Sequence, residues 1–551
     1  MGEEKQTPAD ECFRRACFAV AVKKRSPEDS AFFARFSDAP PCLPCPIRKE
    51  AFFIRCSIQN LTFTYDGSSE PVFPGWSAEL DTGWRLGLTG RNGRGKTTLL
   101  RLMMGELPHG GQISLPLQPV YFPYSVSDPE DMTLNVMQEA AGGEPEWKLM
   151  KEMRLLEVTE DALYRSFSTL SRGEQTKALL CALFAREDAY PLIDEPTNHL
   201  DLLGRQAVAE YLRRKDGFLL VSHDRAFLND CVDHILSINK TGFQVIQGDY
   251  DTWEEQFDRQ NAYELKRNEG LKKEIGRLNQ SARQASQFAQ KAEKDKFHVP
   301  ESVQAAVDRG YAGARSAAMM KRAKAAVQRR ERAAEEKSSL LHNVERVGDL
   351  KLRTLHHPKQ ELITVENGAV CYDGREVCRG VQFILRQGER LALTGPNGCG
   401  KSSILKTLVG EGEAMHGSVR LASGLVVSYV PQDTSGLSGP LEGAIAARGA
   451  DETLVKAILR NMDFSREQFS LDMRDYSQGQ KKKVLLALSL ATPAHVYIWD
   501  EPLNYIDVLS RRQIEELLLA SDPTLLLVEH DRRFLETVMT GEIPLAGLSA
   551  T

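Results

Sequence analysis

A lysine followed by a hydroxyl residue closes a glycine-spaced turn twice in this chain, in GRNGRGKT at 90–97 and GPNGCGKS at 395–402. Glycine at such spacing lets successive backbone N–H groups turn inward around a phosphate. Gly90, Asn92, Gly93, Gly95, Lys96, Thr97 and Thr98 make up the first loop, and Gly395, Asn397, Gly398, Gly400, Lys401, Ser402 and Ser403 the second. Each lysine is placed to reach the β- and γ-phosphates of a nucleotide, and Thr97 or Ser402 to offer a hydroxyl to Mg²⁺. Two apolar runs end in paired acids, LIDEP and YIWDEP. Asp194 and Asp500 suit a Mg²⁺ shell, while Glu195 and Glu501 are positioned to polarise an attacking water. His223 in LLVSHD and His530 in LLVEHD follow a second apolar run, where an imidazole meets a γ-phosphate. The chemistry expected of these groups is ATP hydrolysis with Mg²⁺, at two sites.

The spacing of the groups repeats as well. Lysine to the first acid is 98 residues in one copy (Lys96 to Asp194) and 99 in the other (Lys401 to Asp500), and acid to histidine is 29 and 30. Such agreement identifies a duplicated domain. The elements that must hold these residues are legible too. Strand-like alternation opens each copy, in FIRCSIQNLTFTY and LITVENGAVCY. An apolar strand leads into each glycine loop (WRLGLTG, RLALTG), and an apolar helix start leaves it (TTLLRLMM, SSILKTLV). Strand, loop and helix in that order are what a phosphate loop requires.

Between the copies, residues 254–350 lack a strand pattern and contain one proline, Pro300. Leu271, Ile275, Leu278, Ala282, Ala285 and Ala289 recur at coiled-coil spacing, and Met320, Val327, Ala334 and Leu341 recur every seven residues. A helical hairpin roughly 45–65 Å long is expected at 1.5 Å per residue, with its tip near 295–313. The chain of 551 residues carries a net charge of −6, yet 266–332 holds 17 Lys/Arg against 7 Asp/Glu. Positive charge is therefore concentrated in the middle of the chain. No apolar run approaches the ~18 residues of a membrane span, so a cytoplasmic protein is expected. Ten cysteines do not make a disulfide scaffold; Cys42 and Cys45 form CLPC, a spacing zinc can use, without an ordered quartet to complete it. Residues 1–52 read as a poorly ordered extension, and a chain starting near Ala51 is expected to keep its activity.

LSRGEQTK at 170–177 and YSQGQKKK at 476–483 each place serine and glycine at a helix start, an anion site by dipole and free N–H groups. With these motifs the chain resembles the ABC ATPases, whose two cassettes face head to tail. That resemblance implies a first site of Tyr65, Lys96, Thr97, Asp194, Glu195 and His223 completed by Ser477, Gly479 and Gln480. It implies a second of Tyr372, Lys401, Ser402, Gln432, Asp500, Glu501 and His530 completed by Ser171, Gly173 and Glu174, with Gln432 near the metal. Tyr65 and Tyr372 would stack on adenine. Two departures stand out: Arg172 and Gln478 replace a signature glycine, and Tyr124 in YFPY stands where the second copy has Gln432 in YVPQ. A phenol cannot act as an amide ligand, which makes the first site the slower one. An α/β fold with two tandem ATPase domains (53–253 and 351–551) joined by a helical hairpin (254–350) resembles the ABC-F family. Within it, GARSAAMMKRAK, PLIDEPTNHLD and IWDEPLNYIDV look like antibiotic-resistance members of the Lsa type. This implies a ribosomal partner: the linker reaches large-subunit rRNA and the P-site tRNA and displaces lincosamide, streptogramin A and pleuromutilin drugs. A housekeeping translation factor and the ATPase subunit of a drug exporter are the competing expectations.

Overall fold

The computed structural model describes residues 55–294 and 352–545, apart from 68–70, 199, 240–241, 373–374 and 413–414, together with Ala325 and Arg329. The N-terminal extension with Cys42 and Cys45, and the hairpin tip, lie outside the described residues. The first half contains strands β1 (Arg55–Phe63), β2 (Phe73–Asp81), β3 (Arg85–Thr89), β4 (Gly110–Ser114), β5 (Gln118–Phe122), β6 (Ala189–Asp194), β7 (Phe218–Val221), β8 (His234–Asn239) and β9 (Gly242–Gln247). Its helices are α1 (Lys96–Met103), α2 (Thr133–Ala140), α3 (Glu146–Leu155), α4 (Arg172–Ala185), α5 (Leu202–Arg213) and α6 (Arg225–Cys231), followed by the long α7 (Tyr250–Lys294). The second half has β10 (Glu361–Tyr372), β11 (Arg375–Arg386), β12 (Arg390–Thr394), β13 (His416–Leu421), β14 (Val427–Val430), β15 (Val496–Asp500), β16 (Leu525–Val528) and β17 (Gly541–Pro544). Its helices are α8 (Lys401–Val409), α9 (Leu441–Arg448), α10 (Glu452–Asn461), α11 (Gln478–Ala491), α12 (Val508–Ser521) and α13 (Arg532–Val538).

Each half repeats one plan. A sheet of order β5-β6-β7-β3-β8-β9 in the first matches β14-β15-β16-β12-β17 in the second. All neighbours in these sheets are parallel except β8 and β9. Strands FLLV in β7 and LLLV in β16 are buried at every residue. That is why they read as unbroken apolar runs and not as alternation: both faces of the parallel sheet are covered, one by helices and the other by the antiparallel strands with α1 or α8. A three-stranded antiparallel sheet, β2-β1-β4 or β11-β10-β13, accompanies each. The parallel strands present β3, β6 and β7, or β12, β15 and β16, side by side, so the ends that carry the loop, the acids and the histidine converge.

Helix α7 runs for 45 residues, about 68 Å at 1.5 Å per residue. It begins four residues before the expected boundary at 254, because Tyr250 and Trp253 are buried in the core of the first half. Leu271, Ile275 and Leu278 are half-buried while Lys272, Lys273, Glu274 and Arg277 are exposed, the seam that the spacing predicted. The side chains of Ala282, Ala285 and Ala289 lie outside the described residues, as does most of the segment expected to return. Ala325 and Arg329 on that return are helical and exposed.

Candidate active site

The two phosphate loops are shaped by the backbone that glycine permits. Gly95 (φ 93°) and Gly400 (φ 90°) are left-handed and cap the N-termini of α1 and α8. A Cβ at Gly95 would sit 2.6 Å from Val72 Cγ1, so no larger residue fits. Free N–H groups at these helix starts favour an anion. Lys96 is buried, and its Nζ donates to Gly90 O at 2.7 Å, Arg91 O at 3.3 Å and Asn92 Oδ1 at 3.2 Å. Lys401 Nζ donates to Gly395 O and Pro396 O, both at 2.9 Å. Burial lowers the Lys96 pKa, against the opposing pull of Asp507 and Glu195. Tyr65 stands beside the first loop: its hydroxyl bonds Thr98 Oγ1 at 2.8 Å and its ring meets Phe63 edge-on, leaving it 46% exposed. Tyr372 ends β10, and its side chain lies outside the described residues. Thr98 is buried and Ser403 is half-buried in α8.

At the ends of β6 and β15, Thr97 Oγ1 donates to Asp194 Oδ2 at 3.0 Å and Ser402 Oγ to Asp500 Oδ1 at 2.9 Å. Burial raises both carboxyl pKa values, that of Asp500 to about 6. Asp500 Oδ2 is buried without a hydrogen-bond partner. A free carboxylate oxygen beside a serine hydroxyl is the hard-oxygen donor set that suits Mg²⁺, which takes few protein ligands and completes its shell with phosphates and water. At the first site Asp194 Oδ2 also accepts from Tyr121 OH at 3.0 Å, so the two acids are not equivalent.

Glu195 (φ 52°) and Glu501 (φ 45°) follow directly, both in left-handed backbone. A non-glycine residue there costs ~1–2 kcal/mol, and its occurrence at matched positions marks a functional turn. Glu501 Oε2 accepts from Gln432 Nε2 at 2.8 Å and Asn504 Nδ2 at 2.6 Å. Glu195 Oε2 accepts only a long bond from His223 N, at 3.4 Å, and its Oε1 is buried without a hydrogen bond. Burial, followed by the Asp194 charge, pushes Glu195 up to about 8. Tyr124 does not substitute for the missing amide, because its hydroxyl donates to Glu139 Oε1 at 3.0 Å and its ring packs against the core of the first half. His223 Nε2 lies 3.5 Å from Glu195 Oε1, and His530 Nε2 3.9 Å from Glu501 Oε1. Burial holds His223 well below its usual pKa and His530 at about 3, so both imidazoles are neutral near pH 7.

The halves meet head to tail across these sites. Ser171, Gly173 and Glu174 of the first half and Asn397, Gly398, Gly400, Lys401, Ser402, Ser403, Gln432 and Glu501 of the second line one cleft of about 1270 Å³. At the other site Asn92 Nδ2 donates to Tyr505 O at 2.8 Å. A Cβ on Gly479 would fall 2.7 Å from that carbonyl and 3.3 Å from Asn92 Nδ2. Crowding by the Tyr505 carbonyl of its own half, with Asn92 of the facing half close behind, leaves no room for a side chain at Gly479, whereas the preceding position accepts Gln478. Ser171 with Glu174, and Ser477 with Gln480, form capping boxes that begin α4 and α11.

Three contributors escape motif reading. Asn504 lies three residues beyond Glu501 and Tyr121 three before Tyr124, so only their register with the acids could have singled them out. Lys482 Nζ, buried on α11, donates to Pro431 O at 2.8 Å, Gln432 O at 3.1 Å and Asp500 O at 3.3 Å. It ties the signature helix to the Gln432 turn and to the acid strand. The first copy has Thr176 at this position and cannot make the same tie.

Paired phosphate loops, acid-ended strands and facing signature helices define a tandem ABC-type ATPase. The ABC transporter family matches residues 74–198 and 378–504. Among curated relatives, the ribosome protection protein VmlR of Bacillus subtilis is 28% identical over 491 residues, covering 88% of this chain and 85% of that protein. The ATP-binding protein Uup of Caulobacter vibrioides is also 28% identical, over 88% of this chain and 76% of its own length. ABC transporter F family member 2 of Arabidopsis thaliana is 26% identical, with 88% and 75% covered. Of solved structures, the archaeal ribosome recycling factor aABCE1, in complex with the stalk protein aP1, superposes with a TM-score of 0.56 at 19% identity. It covers 89% of this chain and 90% of its own, a likeness of fold alone. The chain carries two tandem ABC ATPase domains, which imply ATP hydrolysis. No helix among the described residues is long and apolar enough to cross a membrane.

Proposed function

We propose that this ATPase is a cytoplasmic ribosomal protection protein, which uses ATP binding to dock its linker on the ribosome and displaces drugs from the peptidyl-transferase centre. The observation that carries this is the basic segment 266–332, 17 Lys/Arg against 7 Asp/Glu, which begins within a 45-residue helix whose first turns bond both ATPase halves. An energising subunit for a separate membrane partner has no use for such an arm. Similarity to a relative named as a ribosome protection protein, over most of both chains, supports the same reading. In this account Lys96 and Lys401 hold the β- and γ-phosphates. Asp194 with Thr97, and Asp500 with Ser402 and Gln432, would hold Mg²⁺, which would supply neutralisation of phosphate charge. Glu501 orients the water, and His530 contacts the γ-phosphate. Lincosamides, streptogramin A and pleuromutilins are the drug classes expected.

The test is drug susceptibility of a sensitive bacterium expressing the intact chain and a form with residues 297–311 replaced by a short Gly/Ser turn. The intact chain should raise the inhibitory concentration of these drugs, and the replaced form should not, while keeping ATPase activity within about twofold. Protection that survives the replacement, with lowered drug accumulation in the cells, would favour an exporter role. No protection by either form, with normal ribosome binding, would favour a housekeeping translation factor.

A further inference from the structure

Three side chains of the first phosphate loop reach across to the second half. Besides the bond from Asn92 to Tyr505 O, Arg94 Nη2 lies 3.1 Å from Asp463 Oδ2. Arg91 Nη1 donates to Asn461 O at 3.3 Å and lies 4.0 Å from Asp463 Oδ1. Arg91 is buried, and the Arg94 and Asp463 side chains are only 26% and 32% exposed. Asp463 follows α10 in left-handed backbone (φ 62°), a conformation that Asp and Asn tolerate better than other side chains.

The second site lacks this arrangement. Glu157 follows α3 with φ 55°, as Asp463 follows α10, and it lines the second cleft. The loop positions matching Arg91 and Arg94 are Pro396 and Cys399 there, and neither can supply a cation. Opening the first site must break arginine–carboxylate bonds that position the loop cradling the phosphates. At the second site no such pair exists at these positions to be broken.

We propose that Arg91 and Arg94, acting through Asp463, are positioning residues that fasten the first phosphate loop to the facing domain, so that site 1 retains its nucleotide longer than site 2. The two sites then divide the work: one keeps the domains together while the other opens and exchanges. This rests on the assignment of Lys96 and Lys401 to separate nucleotide sites.

The test is stopped-flow release of a fluorescent ATP analogue chased with unlabelled ATP. In a Lys401→Ala background the label loads at site 1. There Asp463→Asn and Arg94→Gln should each speed release about fivefold, the modest size expected of a partly exposed pair. The double variant should be no faster than either single, and Arg94→Lys should keep release close to that of the unsubstituted loop. In a Lys96→Ala background, where the label loads at site 2, Asp463→Asn should leave release unchanged. Unchanged release at site 1, additive effects of the two substitutions, or equal acceleration at both sites would overturn the proposal. Failure of the Lys401→Ala chain to bind label at all would instead remove the site assignment beneath it.

Discussion

Glu501 is held by two amide donors on one carboxylate oxygen, Gln432 and Asn504, with Lys482 fixing the carbonyl of Gln432 from behind. Glu195 occupies the same turn with no side-chain donor, since Tyr124 is committed to Glu139. An oriented base contributes typically 10²–10⁴ in rate, and an unoriented one much less. Glu501→Gln should therefore lower steady-state phosphate release about a hundredfold. Glu195→Gln should lower it less than about threefold, and equal losses would refute the inequality. Asn504→Ala, which leaves Gln432 as the only amide donor on Glu501, should reduce turnover about tenfold with little change in KM, because it acts on a step after binding. The acids, loops and histidines were legible because each motif is local and its backbone is dictated by a strand-to-loop turn. Asn504, Lys482 and the Arg94–Asp463 pair were not, because their importance depends on partners that folding alone brings near. In the last case the partner lies 369 residues away.

At the scale of elements, the root of α7 is bound to helices that follow both His223 and His530. Asn229 on α6 bonds Asp251 at 3.0 Å. Arg533 on α13 pairs with Asp251 and with Glu254 at 2.9 Å, and Arg512 on α12 with Asp258 at 2.8 Å. Beneath them Arg225 and Glu515, both buried, pair across the two halves. Helices α6 and α13 begin two residues after His223 and His530, so each histidine is joined to the root of the arm through one short helix. Such surface-facing pairs add ~0–1 kcal/mol each to stability, so removing them should not unfold the protein. The double change Arg512→Ala and Arg533→Ala should keep ATPase activity within about twofold, yet weaken ribosome co-sedimentation in ATP several-fold. Retained co-sedimentation would show that the root needs no fixed angle. The seam on α7 was legible from its 4,3 spacing. Its true start was not, because Tyr250 and Trp253 enter the core of the preceding domain while belonging to the same helix.

The two ATPase halves share buried residues: Val508, from the second half, sits in the hydrophobic core built mainly by the first. Interfaces of this kind change between discrete packings and do not deform smoothly, so nucleotide can act on the arm only by favouring one packing over another. Blocking hydrolysis while sparing binding should then hold the closed packing. The double change Glu195→Gln and Glu501→Gln removes both candidate bases and leaves the phosphate loops and their magnesium hydroxyls intact. In ATP this variant should co-sediment stoichiometrically with ribosomes and inhibit translation in vitro, whereas in ADP it should not. Its binding should also weaken with salt, with a log–log slope near 0.7–0.9 for each phosphate neutralised. Replacing Lys321, Arg322, Lys324, Arg329 and Arg330 by Gln in the trapped variant should flatten that slope by the number of these residues that meet phosphates. A slope unchanged by all five would place the contact elsewhere on the chain. Binding that is equal in ATP and ADP would separate the arm from the ATPase cycle altogether.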